Sequence, residues 1–590
     1  MKTSRRTTLR ATVGGAWLLA AAVFWPAAAG CHRHGAAGSL PLAQVDEPQG
    51  PPSAKLRTSD KTAASGVSFA YDNGHAAGHH AILESLGGGV GLVDYDGDGR
   101  CDLFFPGGGS YGAGREINGL PSALFRNRGD WRFVDVTAAT RTAAAPYYSH
   151  GCAAADYDAD GFADLLLTGY GGLQLFHNLG DGTFEEISRP AGFLDTLWSS
   201  SAAWGDLNGD QRLDVYIAHY VNWSFDNDPQ CPGPAPGQRE ICSPRRFEPL
   251  PHVVYYSNGD GTFRDATQEA GLRTEPGACG KGLGVVLGDV ELDGDLDIYV
   301  ANDTVDNFLY LNDGRGAFAE VGLFHGVARD ANGKAQGSMG VDLGDYNGDG
   351  LPDLWVAEFE QESFSLYRND GAAQFVHVSQ GTGITALGQL YVGFGTLFAD
   401  IDRDGDEDLI VSNGHVINFP KAAPVRQEPL AIVNDKNRFA EGLFPPGDYF
   451  SLPHRGRGLA ASDLDDDGDL DFVFSHNDGE PNALIANDTP PQGGWLRVRL
   501  IGTQSNRDAI GAHLVLRTSA GDQSRWVKGG GSYLSQSDLH PFWGVPAGAR
   551  IQGLSIRWPS GQRQECALAE ADQTVTIIEP TETSEPVFGK

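Results

Sequence analysis

Asp94-Tyr95-Asp96-Gly97-Asp98-Gly99-Arg100-Cys101-Asp102 is the stretch on which the fold turns. Acidic side chains stand at positions 1, 3, 5 and 9 of this nonapeptide. The same spacing recurs at Asp156, Asp158, Asp160 and Asp164; at Asp206, Asn208, Asp210 and Asp214; and at Asp289, Glu291, Asp293 and Asp297. It continues at Asp345, Asn347, Asp349 and Asp353; at Asp400, Asp402, Asp404 and Asp408; and at Asp463, Asp465, Asp467 and Asp471. A hard cation such as Ca2+ takes about six to eight oxygens, so alternate side chains of a tight loop must converge on one point. Positions 1, 3 and 5 supply side-chain oxygens, position 7 offers its carbonyl, and position 9 closes the cage. Gly99, Gly161, Gly294, Gly350, Gly405 and Gly468 fill position 6, with Gln211 as the exception. Glycine there admits a turn barred to bulkier residues. Without a cation the crowded carboxylates would repel strongly. A solvated acidic turn explains one such loop but not seven, and the expectation is up to seven calcium ions.

Each loop joins an apolar strand to another, as in Gly91-Leu92-Val93 and Leu103-Phe104-Phe105. A Leu/Tyr/Phe–Asn segment follows, as in Leu124-Phe125-Arg126-Asn127 and Leu366-Tyr367-Arg368-Asn369. A turn then leads to a strand with Phe at a fixed place: Phe133, Phe184, Phe263, Phe318, Phe375, Phe439. Four short strands per roughly 50–60 residues make a propeller blade. The spacing predicts an all-β chain with a seven-bladed β-propeller over residues 62–490, calcium lying between first and second strands. The seventh unit lacks its Phe strand, and Val67-Ser68-Phe69-Ala70 is expected to pair there and close the ring, removing exposed edges.

The 590 residues include 80 Gly and 32 Pro against 2 Met, and no long helical period appears outside the leader, which fits short strands and turns. A formal charge of −34, from 77 acids against 43 bases, disfavours nucleic acid. Lys2, Arg5, Arg6 and Arg10 precede an almost wholly apolar run from Ala11 to Gly30, the pattern of an export signal. Ser4 to Arg10 resembles a twin-arginine signal with Thr8 replacing the usual apolar residue, and Ala28-Ala29-Gly30-Cys31 resembles a lipoprotein cleavage site. Residues 1–31 are thus read as a signal peptide with lipidation at Cys31, the alternative being an uncleaved span. Residues 32–61, rich in Gly, Pro and Ala, read as a flexible tether to the membrane. The expected location is the bacterial cell envelope, as an outer-membrane or periplasmic lipoprotein, or the extracellular space.

The loops resemble the FG-GAP, or VCBS, repeats of integrin-type propellers. Asn506-Arg507-Asp508-Ala509-Ile510-Gly511-Ala512, Gly530-Gly531-Ser532-Tyr533-Leu534-Ser535-Gln536-Ser537 and Trp558-Pro559-Ser560-Gly561 resemble the ASPIC/UnbV domain. With Asn413-Gly414-His415 the arrangement is similar to bacterial relatives of cartilage acidic protein. The usual Phe-Gly-Leu-Gly segment is here Phe542-Trp543-Gly544-Val545. The resemblance implies calcium-dependent structure and adhesion or recognition, and it transfers no catalytic residue. Independently, Trp495 to Leu500 and Leu554 to Trp558 alternate like half-buried strands, so residues 491–580 read as a small C-terminal β-sandwich, with a tail at 581–590.

Cys231 and Cys242 lie in a Pro-rich insertion of the third unit and are expected to form a disulfide restricting that loop. Cys101, Cys152, Cys279 and Cys566 read as buried thiols, with one pair possible. His75, His79, His80, Glu84 and His150 have residue types that suit a transition metal but match no ligand spacing; the structural reading is preferred. Arg455 and Arg457 face the channel in this reading, as anion ligands or, by preference, paired with acids. Two function classes remain: a lipid-anchored module recognising an extracellular or cell-envelope protein or glycan, and a metal-dependent enzyme with a pocket at the propeller axis.

Overall fold

The computed structural model describes residues 55–275 and 278–581. Cys31 and its leader lie outside the described residues. Seven antiparallel sheets account for the repeats, six of four strands and the fourth of five, its fifth strand coming from the C-terminal region, and the two-strand hairpins of each follow directly from the loops. The second strand of every sheet begins at the ninth loop position: Asp102, Asp164, Asp214, Asp297, Asp353, Asp408 or Asp471. The innermost strand of each sheet packs on that of the next, and the seventh (Gly456–Ser462) packs on the first (Gly91–Val93), so the ring is closed.

The strands are apolar on both faces because each blade is sandwiched between neighbours. Leu103 and Phe105 pack with Leu464, Val473 and Leu484 of blade 7, whereas Phe104 between them packs with Cys152, Leu165 and Phe176 of blade 2. Burying one such side chain contributes roughly 1.5–3 kcal/mol. The blade seams are therefore the core.

The seventh blade is completed by a strand other than the expected one. Thr58–Asp60 pairs with Ala483–Asn487, Thr58 opposite Asn487 and Asp60 opposite Ile485. Asp448 fixes the register, accepting the Thr58 N–H (2.9 Å) and hydroxyl (2.6 Å). After the short helix Thr62–Ser65, Gly66 adopts a left-handed φ of 85° and turns the chain off the edge. Val67 to Ala70 then crosses the blade end, where the Phe69 carbonyl accepts the Asn482 N–H (2.9 Å). The segment expected as tether therefore contributes its last residues to the ring.

The C-terminal region is the expected sandwich. Phe542–Pro546, Gly493–Ile501 and Gln573–Ile578 form one sheet; Asp522–Trp526, His513–Thr518, Ile551–Arg557 and Arg563–Cys566 form the other. Val498, Leu514, Leu516, Trp543, Leu554 and Trp558 fill the space between them, continuous with Leu207 and Leu296 of the propeller.

One loop of this domain leaves it and enters the ring. Gly529–Gly530 pairs with the inner strand of blade 4, Gly530 opposite Val286. Ser532 bridges to Val341 of blade 5, and its hydroxyl donates to the Leu459 carbonyl of blade 7 (2.7 Å) and accepts the Thr396 N–H of blade 6 (3.2 Å). The Leu534 N–H donates to Ser201 Oγ of blade 3 (3.1 Å), and its carbonyl accepts the Cys152 N–H of blade 2 (3.2 Å). The Gln536 carbonyl accepts the Leu92 N–H of blade 1 (2.9 Å). A single loop thus touches all seven inner strands and fills the axis. The fit is backbone-close: a Cβ on Gly89 would lie 1.7 Å from the Leu534 carbonyl oxygen.

Candidate metal centres

All seven loops share one hydrogen-bonded frame. The position-1 carboxylate accepts the N–H groups of positions 5 and 6, as Asp94 does from Asp98 (3.0 Å) and Gly99 (2.9 Å), and Asp463 from Asp467 (3.1 Å) and Gly468 (3.1 Å). The position-9 carboxylate accepts an N–H from the third strand of its own blade: Asn127 to Asp102, Asn178 to Asp164 and Asn369 to Asp353, each at 2.7 Å, and Ser257 to Asp214 at 2.8 Å. This places the acidic side chains around a common point. Carboxylate oxygens of Asp94, Asp96 and Asp102, of Asp156, Asp158 and Asp160, and of Asp400, Asp402 and Asp404 all come within 4.8 Å of one another.

The donor set fits a hard cation. Asp96 Oδ1, Asp402 Oδ1 and Asp465 Oδ1, all at position 3, and Asp353 Oδ2 at position 9 are buried without a hydrogen-bond partner. Buried acceptors of this kind are normally satisfied. Burial pushes Asp102 and Asp214 up to about 8 and Asp353 up to about 9, because the amide hydrogen bonds replace only part of the lost hydration. A divalent cation at this point would supply the missing compensation.

The loops are not equivalent. In blade 1, Arg126 lies on Asp96 (2.6 Å) and Asp98 (3.0 Å), placing a protein cation at the donor set. In blade 3, Gln211 stands at φ 71°, within the left-handed region that the glycines of the other loops occupy. The C-terminal domain covers several others. Arg557 pairs with Asp289, Arg507 lies 3.3 Å from Asp156, and Gln492 donates to Asp402 (2.5 Å). Trp495 sits so close that a Cβ on Gly468 would be 2.0 Å from its indole nitrogen.

The sequence reading missed what the recurrent Asn does. Its side-chain NH2 reaches the preceding blade and donates to the carbonyl of loop position 2 there: Asn178 to Tyr95 (2.8 Å), Asn369 to Val290 (2.8 Å), Asn434 to Tyr346 (2.8 Å) and Asn487 to Ile401 (2.8 Å). Asn127 and Asn312 do the same to Leu464 and Leu207 (3.0 Å each). Blade 3 has Ser257 in that place, whose hydroxyl instead accepts the Gly259 N–H (3.2 Å).

Cys231 and Cys242 form the expected disulfide, closing the hairpin of Cys231–Pro232 and Arg239–Glu240; Cys101, Cys152, Cys279 and Cys566 are free. The histidine group does not assemble as a metal site. His150 has both ring nitrogens engaged, Nε2 by Trp198 (3.0 Å) and Nδ1 by Tyr71 (3.0 Å). His75 pairs with Asn73, His80 with Asn418, and Glu84 accepts the Ala81 N–H. Arg455 pairs with Asp478 as preferred, but Arg457 has no acid: it donates to the carbonyls of Ser85 and Gly414 and lies over the Phe394 ring at 4.1 Å. Gly529 to Gln536 occupies the axis between the inner strands, and the space left at the axis is a cavity floored by Tyr533.

The FG-GAP-like repeat family matches residues 94–167, 156–217, 289–356 and 345–411, and the ASPIC and UnbV family matches residues 502–584. Cartilage acidic protein 1 of Homo sapiens is 24% identical over 520 residues, covering 83% of this chain and 72% of the human protein. The Mus musculus protein is likewise 24% identical over 520 residues, covering 83% of this chain and 74% of its own. Among solved structures, the BP39L lectin from Burkholderia pseudomallei is 10% identical, with TM-score 0.38, and covers 68% of this chain and 96% of its own. An Agrocybe aegerita lectin is 18% identical, with TM-score 0.34, and covers 59% of this chain and 77% of its own. Loops, ring and C-terminal sandwich agree with the two family matches: the chain is an FG-GAP repeat protein with a C-terminal ASPIC/UnbV domain, a relative of cartilage acidic protein 1.

Proposed function

We propose that this protein is an exported, calcium-stabilised propeller lipoprotein that recognises or adheres to a protein or glycan outside the cytoplasm. The observation that carries the calcium reading is the set of orphaned, buried carboxylate oxygens at loop positions 3 and 9. Calcium, at up to seven loops, would be held by the side chains of positions 1, 3, 5 and 9. The Cys231–Cys242 disulfide supports an oxidising compartment, and acylation of Cys31 would hold the chain at the membrane. Metal analysis of the purified protein, paired with glycan and protein arrays, tests both halves. The expected result is bound calcium and a ligand whose capture is lost in chelator. Absence of calcium after dialysis against micromolar calcium would end the first half, and calcium-independent capture would separate recognition from it.

A further inference from the structure

The second strands begin at the metal loops, so the segments that follow them emerge on the opposite face of the ring. There a cavity of about 460 Å3 opens over the axis, in the range of small-molecule sites. Its floor is Tyr533, the tip of the inserted loop, whose hydroxyl donates to the Leu86 carbonyl (3.0 Å) and whose ring meets Phe394 edge-on (5.0 Å). Tyr220 and Phe359 add two further aromatic walls, and the disulfide-braced insertion contributes Ile241 and Cys242. The cavity is thus shaped by the inserted loop, the disulfide-braced insertion and segments of several blades together.

Its polar groups are unequal. The carboxylate of Glu240 accepts the N–H groups of Asn418 (2.9 Å) and Phe419 (2.7 Å), Asp303 accepts the Tyr220 hydroxyl (2.6 Å), and Glu362 holds Lys334 (3.0 Å). Glu360 has no such partner for Oε2, which is buried, and its Oε1 lies 3.5 Å from His415 Nε2. That ring is fully buried and its Nδ1 accepts the Ile417 N–H (3.2 Å); burial pulls its pKa down to about 4, so it is neutral at pH 7 and brings no countercharge, and the donors facing the carboxylate are its Nε2–H and the Ala423 N–H, both neutral. Thr304 Oγ1, also on the lining, is a second buried polar atom without a partner. Arg245 at the rim and Arg457 behind Phe394 are the opposing charges; Arg457 is separated from the cavity by the ring it covers.

We propose that this cavity binds a small organic ammonium ion, its apolar body against the aromatic walls and its charged nitrogen on Glu360. Aromatic faces and a desolvated carboxylate both favour a cation over a neutral or anionic ligand of the same shape. The site is distinct from the metal loops and does not depend on the recognition reading.

The test is calorimetry on the full chain in calcium buffer with 2-phenylethylamine, 2-phenylethanol and phenylacetate, matched in body and differing in charge. The amine should bind about tenfold or more tighter than the alcohol, and phenylacetate weakest. Glu360→Gln should cost the amine about tenfold and leave the alcohol within about twofold. Met339→Trp, which fills the cavity, should abolish binding of all three. Equal affinities for amine and alcohol, no amine binding at millimolar concentration, or an unchanged amine affinity in Glu360→Gln would each overturn the proposal. If Glu360→Gln alters folding, the wild-type ratio of amine to alcohol decides alone.

Discussion

Replacing Gln211 by Gly alters one backbone position in one loop. Gln211 is exposed at φ 71°, and its N–H donates to Asp206 at 2.7 Å, so the loop's own frame holds it in the left-handed region. An L-residue there costs about 1–2 kcal/mol, which Gly removes. Greater freedom of the unfolded chain returns about 0.4–1 kcal/mol of that in a stability measurement, but it does not enter a binding equilibrium between folded states. The affinity change therefore depends on whether the metal-free loop keeps this conformation. Mutual repulsion of Asp206 and Asp210 favours loosening in chelator, and the full strain then separates the two states. The expected result is a tightening of one calcium site by about five- to thirtyfold.

Calcium titration by calorimetry, with a competing chelator to resolve the tight sites, reads this directly. If the metal-free loop instead stays in place, affinity is unchanged and the melting temperature in chelator rises. Gly350→Ala is the reverse control: φ is 84° and the added Cβ would meet only Ser524 Oγ at 3.8 Å, so only the backbone is strained. It should weaken the blade 5 site or lower its stability by a similar amount. Site affinities and chelator-state melting temperature both unchanged in Gln211→Gly would refute the reasoning.

Excess chelator should lower the melting temperature substantially and restored calcium should recover it, since binding absent from the unfolded chain becomes stability; an unchanged temperature counts against the calcium reading. In chelator the folded-state carboxyls near 8 to 9 lie far above their unfolded values, so the folded form takes up protons and stability should rise as pH falls from 9 towards 6. With calcium present the sign should reverse, because protons compete for the same oxygens; melting curves at both conditions check this. Asn369→Ala removes the Val290 staple and the bond to Pro352, taking the side-chain donor from two buried carbonyls, for a loss of at least about 1–3 kcal/mol in denaturant unfolding. Cys31→Ala should release the protein to the soluble fraction or block its maturation, and a mutant still in the membrane with an intact N-terminus would favour a span over an acyl anchor.

The acidic loops were legible because their frame is local: nine consecutive residues carry the clustered carboxylates and the turn that gathers them. The strands around them were legible for the same reason, being short apolar runs fixed to the loop register. What escaped was long-range. Thr58–Asp60 has neither Phe nor a hydrophobic run, and partners remote in sequence, Asp448 and the strand edge Ile485 to Asn487, make it a strand. The Gly529 to Gln536 insertion carries little periodic signal, since backbone and hydroxyl groups make its bonds to seven separate strands. Arg457 is satisfied by carbonyls and an aromatic ring, which no charge pairing in the sequence indicates.

The carbonyl and N–H of loop position 2 tie two blades together, and that coupling locates the weakest seam. In blade 4 the Val290 N–H donates to Asp297 of its own loop (3.0 Å), while its carbonyl accepts from Asn369 of the next blade (2.8 Å). Whatever orders the loop therefore orders the seam. The seam between blades 2 and 3 lacks this link, because Ser257 cannot reach across as Asn does. There the C-terminal domain intervenes: Asp508 accepts the Asp156 N–H (2.8 Å), Arg507 lies on the Asp156 carboxylate, and Ile510 packs in one cluster with Tyr157 and Leu207. The domain thus braces the one seam that the repeat leaves unstapled, and its inserted loop holds the inner ends of the blades. Replacing Arg507 and Asp508 by Ala should then raise amide hydrogen exchange first around Tyr157 and Leu207, with the seam between blades 5 and 6 little changed. Ser257→Asn in the same background should restore protection, as the missing staple is rebuilt. Uniform acceleration around the ring, or no rescue by Ser257→Asn, would show that the domain stabilises the propeller as a whole and not through this seam.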